Sequence, residues 1–281
     1  MSPSWLLCPE RAKRRAKMRL RMLATGVVLA FLAIVPTQVK AQCYTEVCFF
    51  KGLDYAMKGM LKEAEGQFRR TLEYDQNFKA ATEALRIMED YHSGRVKEEA
   101  LRSIFKGVYY MNKKRFERAA EEFTKAIYQA PDYYYSYYLR AVLYSFRNET
   151  EKAIEDLTKS ISLKPDFAEA YYNRAVLRHQ MGQDALAIDD YTRAIELKAD
   201  LYQAYYNRGL LLMEAGQLDS AVKDFSEALR YNPRHTKALL KQATAYQSMG
   251  RITEACKNYQ KACKLGVCSA YEAAVTRGIC K

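Results

Sequence analysis

A small residue returns every 34 positions along this chain: Ala119, Ala153, Ala187, Ala221 and Ala255 are evenly spaced. Ala64 joins the series once a segment at 79–99 is set aside. Each has the same company. A bulky apolar residue follows four places on (Phe68, Phe123, Leu157, Tyr191, Phe225, Tyr259), and a small one three beyond that (Thr71, Ala126, Ser160, Ala194, Ala228, Ala262). Another small residue stands twelve places before (Gly52, Gly107, Ala141, Ala175, Gly209, Ala243). A fixed period of this length describes a repeat array, in which stacked helical pairs bury a core that no single pair could bury alone. Small residues let the two helices of a pair approach closely. The bulky one lies one turn along the same face and fills the space between pairs.

Punctuation agrees with the period. Pro131, Pro165 and Pro233 all fall between one unit and the next, where a residue that breaks helices is tolerated. Gly59, Gly182, Gly216 and Gly250 fall in the turn inside a unit, with Asn148 in the same slot of another. Both residue types accept the left-handed conformation that ends a helix. Lys114 departs from this pattern. No stretch alternates like a strand, so the class is all-α. The segment 79–99 is itself helical in pattern, with Ala84, Leu85, Ile87, Met88 and Tyr91 as an apolar stripe. His92-Ser93-Gly94 marks a break, after which the next first helix should start early, near Arg95.

This register resembles the tetratricopeptide repeat family, whose period is 34 residues. Five contiguous units read 100–133, 134–167, 168–201, 202–235 and 236–269, and a sixth, 45–78, precedes the insertion at 79–99. Tyr171-Tyr172-Asn173-Arg174-Ala175 and Tyr205-Tyr206-Asn207-Arg208-Gly209 are similar to the family's first-helix consensus. The resemblance implies a right-handed superhelical solenoid, closed here by a helix at 270–281.

Residues 1–41 read as a removed secretory signal peptide. Seven basic residues lie between Arg11 and Arg21, an apolar run covers Leu23–Val35, and Val39-Lys40-Ala41 offers small residues where a signal peptidase reads. The apolar run is short for a bilayer, which needs about 20 residues. Membrane association would run only through an uncleaved leader or a lipidated Cys43, and Lys40-Ala41-Gln42 suits lipidation poorly. The leader also carries much of the charge. Of the net +12, residues 1–41 hold eight Lys/Arg and one Glu, leaving about +5 for the rest. A nucleic-acid partner needs a basic stripe on the folded part, whereas acidic and basic residues interleave here. The expected location is secreted or periplasmic.

Six cysteines remain beyond the leader: Cys43, Cys48, Cys256, Cys263, Cys268 and Cys280. They sit at the two ends of the array, where terminal units lack a neighbour, and an oxidising compartment favours disulfides there. An antiparallel hairpin turning at Gly266 predicts Cys256–Cys280 and Cys263–Cys268, with Cys43–Cys48 at the other end. Buried free thiols are the alternative. A zinc site fits poorly, because there is no Cys-x2-Cys pair and the nearest histidine, His235, lies far upstream.

Catalytic signatures are missing from the sequence. His92, His179 and His235 fall in different units, and there is no Gly-rich phosphate loop, His-Glu-x-x-His or Gly-x-Ser-x-Gly. The expected protein is not an enzyme and needs no cofactor or metal. The resemblance implies instead a concave groove for protein or peptide segments, lined by Tyr135, Tyr138, Val142, Tyr172, Val176, Tyr206, Asn207, Leu210, Met213, Lys237 and Lys241. Tyr138, Tyr172 and Tyr206 recur at the period and array three rings along the wall. One variant of the family clamps a terminal carboxylate. Asn207, Lys237 and Lys241 match two of its parts, but Tyr172 and Val176 replace the third, which implies at most a reduced anionic subsite. Two other roles remain open: a structural or assembly component of a cell-envelope complex, and a small-ligand or glycan binder using the tyrosines.

Overall fold

The computed structural model describes residues 37–280, with side chains from Tyr44 onward. The leader reading at 1–41 therefore lies almost wholly outside the described residues. Helix α1 (Thr37–Met57) begins before Ala41 and passes through the expected cleavage point. Among the described residues every regular element is an α-helix, and no helix is long and apolar enough to cross a membrane. The chain divides into two compact units, up to Ser136 and from Tyr137 onward.

In the N-terminal unit, α1 pairs with α2 (Leu61–Tyr74), and α4 (Glu98–Asn112) pairs with α5 (Phe116–Gln129). The first helices α1 and α4 also touch directly, so the two pairs stack despite the segment between them. That segment forms α3 (Lys79–His92), which buries Ala81, Ala84, Ile87, Met88 and Asp90. Gly94 then turns the chain with φ +76°, and α4 starts at Glu98. The expected start near Arg95 is thus too early. Arg95 stays in the turn, its guanidinium 2.9 Å from the buried Asp90 carboxylate.

Helix α6 (Tyr134–Phe146) carries the chain into the C-terminal unit. There α7 (Thr150–Leu163), α8 (Ala168–Gln180), α9 (Asp184–Leu197), α10 (Tyr202–Glu214), α11 (Leu218–Tyr231), α12 (Thr236–Ser248) and α13 (Ile252–Lys264) follow in order. Helices α9, α11 and α13 pack on their own first helices α8, α10 and α12, and α7, α9 and α11 pack on the first helix of the next pair. The chain closes with α14 (Ser269–Thr276). It ends at Thr276, short of the expected extent of 270–281, because Gly278 turns left-handed at φ +66°.

The periodic small residues do what close packing requires. Ala119, Ala153, Ala187, Ala221 and Ala255 are all fully buried. A methyl group added at Gly107 would meet the Phe123 ring at 2.4 Å, and at Gly209 the Phe225 ring at 2.9 Å. The turns inside the units are left-handed throughout, including Lys114 at φ +57° and Asn148 at φ +60°. Lys114 therefore fills a position that suits glycine, and bears the steric penalty a β-carbon meets there.

Candidate functional site

The first helices of the C-terminal unit, α6, α8, α10 and α12, present the side chains that could meet a ligand. Their orientation is fixed by a buried charge ladder. Arg140, Arg174 and Arg208 reach sixteen residues forward to Asp156, Asp190 and Asp224, each pair joined by two hydrogen bonds of 2.8 Å. The paired carboxylates are almost fully buried. Arg174 and Arg208 also donate to Thr158 and Thr192 on the preceding second helix, which ties one unit to the next. In the last unit Gln242 and Asn258 occupy the same slots, with a neutral bond of 2.8 Å.

On the ladder's other flank lie the expected groove tyrosines. Tyr138 packs edge-on against Phe167, ring centroids 4.9 Å apart, and its hydroxyl oxygen accepts from the Asn173 amide at 3.1 Å. Tyr172 repeats this one unit later, accepting from Asn207 at 3.3 Å while its ring lies 5.9 Å from Tyr191. Burial pushes the Tyr172 hydroxyl above its ordinary pKa. Tyr206 packs on Phe225 and His235, the latter 4.8 Å away. The residue one unit beyond it in the asparagine register is Lys241. What links each of the first two rings to the next unit is an asparagine. Val142, Val176, Leu210 and Met213 are half-buried, Val176 in one apolar cluster with Tyr172, whereas Lys237 and Lys241 are exposed, one turn apart on α12.

Tyr135 needs correction. It is only 2 % exposed, donates its hydroxyl to Glu83 of α3 at 2.6 Å, and lies under the Arg86 guanidinium. The inserted helix covers the Tyr135 side chain, so Tyr135 holds α3 in place and is not open to a ligand. Neighbouring Tyr133 does likewise, donating to the buried Asp90 at 2.7 Å.

Among the cysteines, Cys256 bonds to Cys280 and Cys263 to Cys268. Cys43–Cys48 is also corrected, because Cys48 keeps a free, buried thiol whose pKa burial raises. Both residues lie in α1. Five positions along a helix separate the two backbone sites by roughly 7.5 Å of rise alone, beyond the spacing a disulfide spans. Among the described residues no cluster of His, Cys, Asp and Glu is arranged to hold a metal ion.

His235 has a role the sequence did not announce. It caps α12, its Nδ1 accepting from the Ala238 N–H at 3.0 Å, and its ring packs on Tyr202 and Tyr206. Burial, helped by the Lys237 charge, holds its pKa below the ordinary 6.5. The unfolded chain therefore binds the proton more readily, and the cap's contribution is complete above pH 6.5 and lost as pH falls through the folded value. The thermal midpoint should drop on acidification between about pH 7 and 5. His235→Asn, which caps without titrating, should flatten that part of the profile.

Models of the tetratricopeptide repeat, or TPR, match residues 104–133, 122–155, 147–182, 168–201, 202–235 and 237–265. The chain belongs to the tetratricopeptide repeat family. Solved TPR structures resemble it as well. A crystal structure of MamA is 27 % identical, covers 57 % of this chain and 94 % of its own, and has a TM-score of 0.55. YrrB, titled a TPR protein with an unusual peptide-binding site, is 19 % identical over 69 % of this chain and 99 % of its own, TM-score 0.56. PilF of Pseudomonas aeruginosa is 15 % identical over 84 % of this chain and 99 % of its own, TM-score 0.58. At those identities YrrB and PilF speak for the fold alone. No curated protein matches the chain. As a TPR protein with this geometry, the chain is a protein–protein interaction scaffold.

Proposed function

We propose that this scaffold works outside the cytoplasm, secreted or periplasmic, and holds an extended partner segment along the first-helix face of its C-terminal unit. The observation that carries the reading is the run Tyr138, Tyr172, Tyr206, followed by Lys237 and Lys241. The rings offer flat apolar area with polar tips, at little conformational cost. The lysines are exposed and no carboxylate lies within ion-pair distance of them among the described residues. Two like charges one turn apart weaken a helix slightly, and an acidic residue of the partner would offset that. The peptide-binding title of YrrB, the basic-then-apolar leader and the bonded cysteines all support this reading. The groove residues are Tyr138, Val142, Tyr172, Val176, Tyr206, Leu210 and Met213, with Asn207, Lys237 and Lys241 at the basic end.

The test is crosslinking capture from the cell envelope with the parent chain and a Tyr138/Tyr172/Tyr206→Ala variant. Partner affinity should fall several-fold or more per ring, since aromatic anchors dominate many interfaces. Charge reversal at Lys237 and Lys241 should weaken binding less as salt rises. Undiminished binding by a triple variant that keeps its circular dichroism would move the site off this face. Fractionation of cells carrying the full gene decides the location.

A further inference from the structure

We propose that the segment after α13 is a cap released by thiol–disulfide exchange. In the preceding pairs, the outer side of a second helix is covered by the next first helix. For α13 that place is taken by α14, which is eight residues long and buries only Ala274 from within the helix. Ala270, Tyr271, Ile279 and Cys280 complete its contact with Ala243, Ala255 and Tyr259. A helix this short is marginal by itself in water. Its hold is covalent: Cys263–Cys268 closes the turn that enters it, and Cys256–Cys280 ties down its exit.

The two sulfurs of the exit bond differ in access. Cys280 is 3 % exposed, whereas Cys256 is half-buried and lines an open cavity with Thr253, Lys257, Gln260 and Tyr271. A thiolate can therefore approach Cys256 from solvent, and the Lys257 ammonium at that cavity favours an anion. Attack by one thiol of a dithiol reductant forms a mixed disulfide at Cys256. The Cys256–Cys280 bond breaks and Cys280 leaves as a thiolate that takes up a proton. The reductant's second thiol then attacks the mixed disulfide, freeing Cys256 and leaving the reductant as a disulfide. Two electrons and two protons are transferred. The cap, no longer tied at its exit, unfolds and opens the end of the last helical pair around Tyr246 and Tyr259.

Amide hydrogen exchange on the full chain, with and without dithiothreitol, tests this. Reduction should abolish protection across 269–280 while α8 to α11 keep theirs. Cys280→Ser should show the same open cap without reductant. Exposure to glutathione should trap the mixed disulfide at Cys256. Protection at 269–280 that survives both reduction and Cys280→Ser would overturn the proposal. So would its loss together with that of α8 to α11, which would make the bonds supports of the whole unit. Trapping at Cys280 in place of Cys256 would overturn the route of attack.

Discussion

Asp224→Ala should destabilise the C-terminal unit by about 3–5 kcal/mol, the range for removing one partner of a buried ion pair. The Arg208 and Asp224 side chains are 19 % and 7 % exposed, so solvent screens them little. Two bonds of 2.8 Å join them, and the pairing holds the Arg208 pKa above its ordinary value. Without the carboxylate, the guanidinium stays between two second helices with Thr192 as its hydrogen-bond partner, at 2.9 Å. The chain also supplies its own control. Gln242 and Asn258 fill the same slots without charge. The double change Arg208→Gln/Asp224→Asn should therefore recover most of the loss, because a neutral pair of similar shape removes both the charge and its desolvation penalty. Urea unfolding of the three proteins measures both effects. A parent-like Asp224→Ala would mean the ladder is ornamental.

That ladder was present in the sequence as arginines at 140, 174 and 208 and aspartates at 156, 190 and 224, each at the repeat period. Reading for small and bulky apolar residues passes over it, because charge is expected on solvated faces and burial reverses that expectation only when a partner is in reach. Helix identity, turn positions and the small-residue seam were legible, since they depend on local spacing. Lys114 was opaque because the left-handed turn is imposed by the two helices it joins, against the residue's own preference. Tyr135 went astray for a related reason. The expected groove register places it on the inner face, and only the inserted helix, whose Glu83 lies 52 residues earlier, decides that this side chain is covered. The asparagine that donates to each of Tyr138 and Tyr172 also arises from a neighbour thirty-five residues away. Contacts between units are invisible to a reading that treats one unit at a time.

Gly107→Ala should cost about 1–3 kcal/mol, as overpacking in a tight core does. The added methyl would lie 2.4 and 2.5 Å from two Phe123 ring carbons, closer than any relaxed contact, and both elements are anchored by further packing. The repeat explains why. Three pairs place Gly opposite Phe: Gly52 and Phe68, Gly107 and Phe123, Gly209 and Phe225. Where Ala stands in the first slot, the second holds the smaller Leu157 or a tyrosine, and Tyr259 is anchored by its hydroxyl on Gln247 at 3.0 Å. At Ala141 and Leu157 the larger slot residue is matched by a smaller filler, and that unit is the model for a compensating change. It follows that Phe123→Leu should rescue Gly107→Ala, recreating the Ala141–Leu157 pairing, although Phe123→Leu alone leaves a cavity and destabilises. The coupling in the double-mutant cycle should be favourable by roughly 1 kcal/mol or more, as for residues in direct contact. Additive losses in thermal or urea unfolding would show that the backbone shifts to admit the methyl, and that the seam is set by something other than this contact.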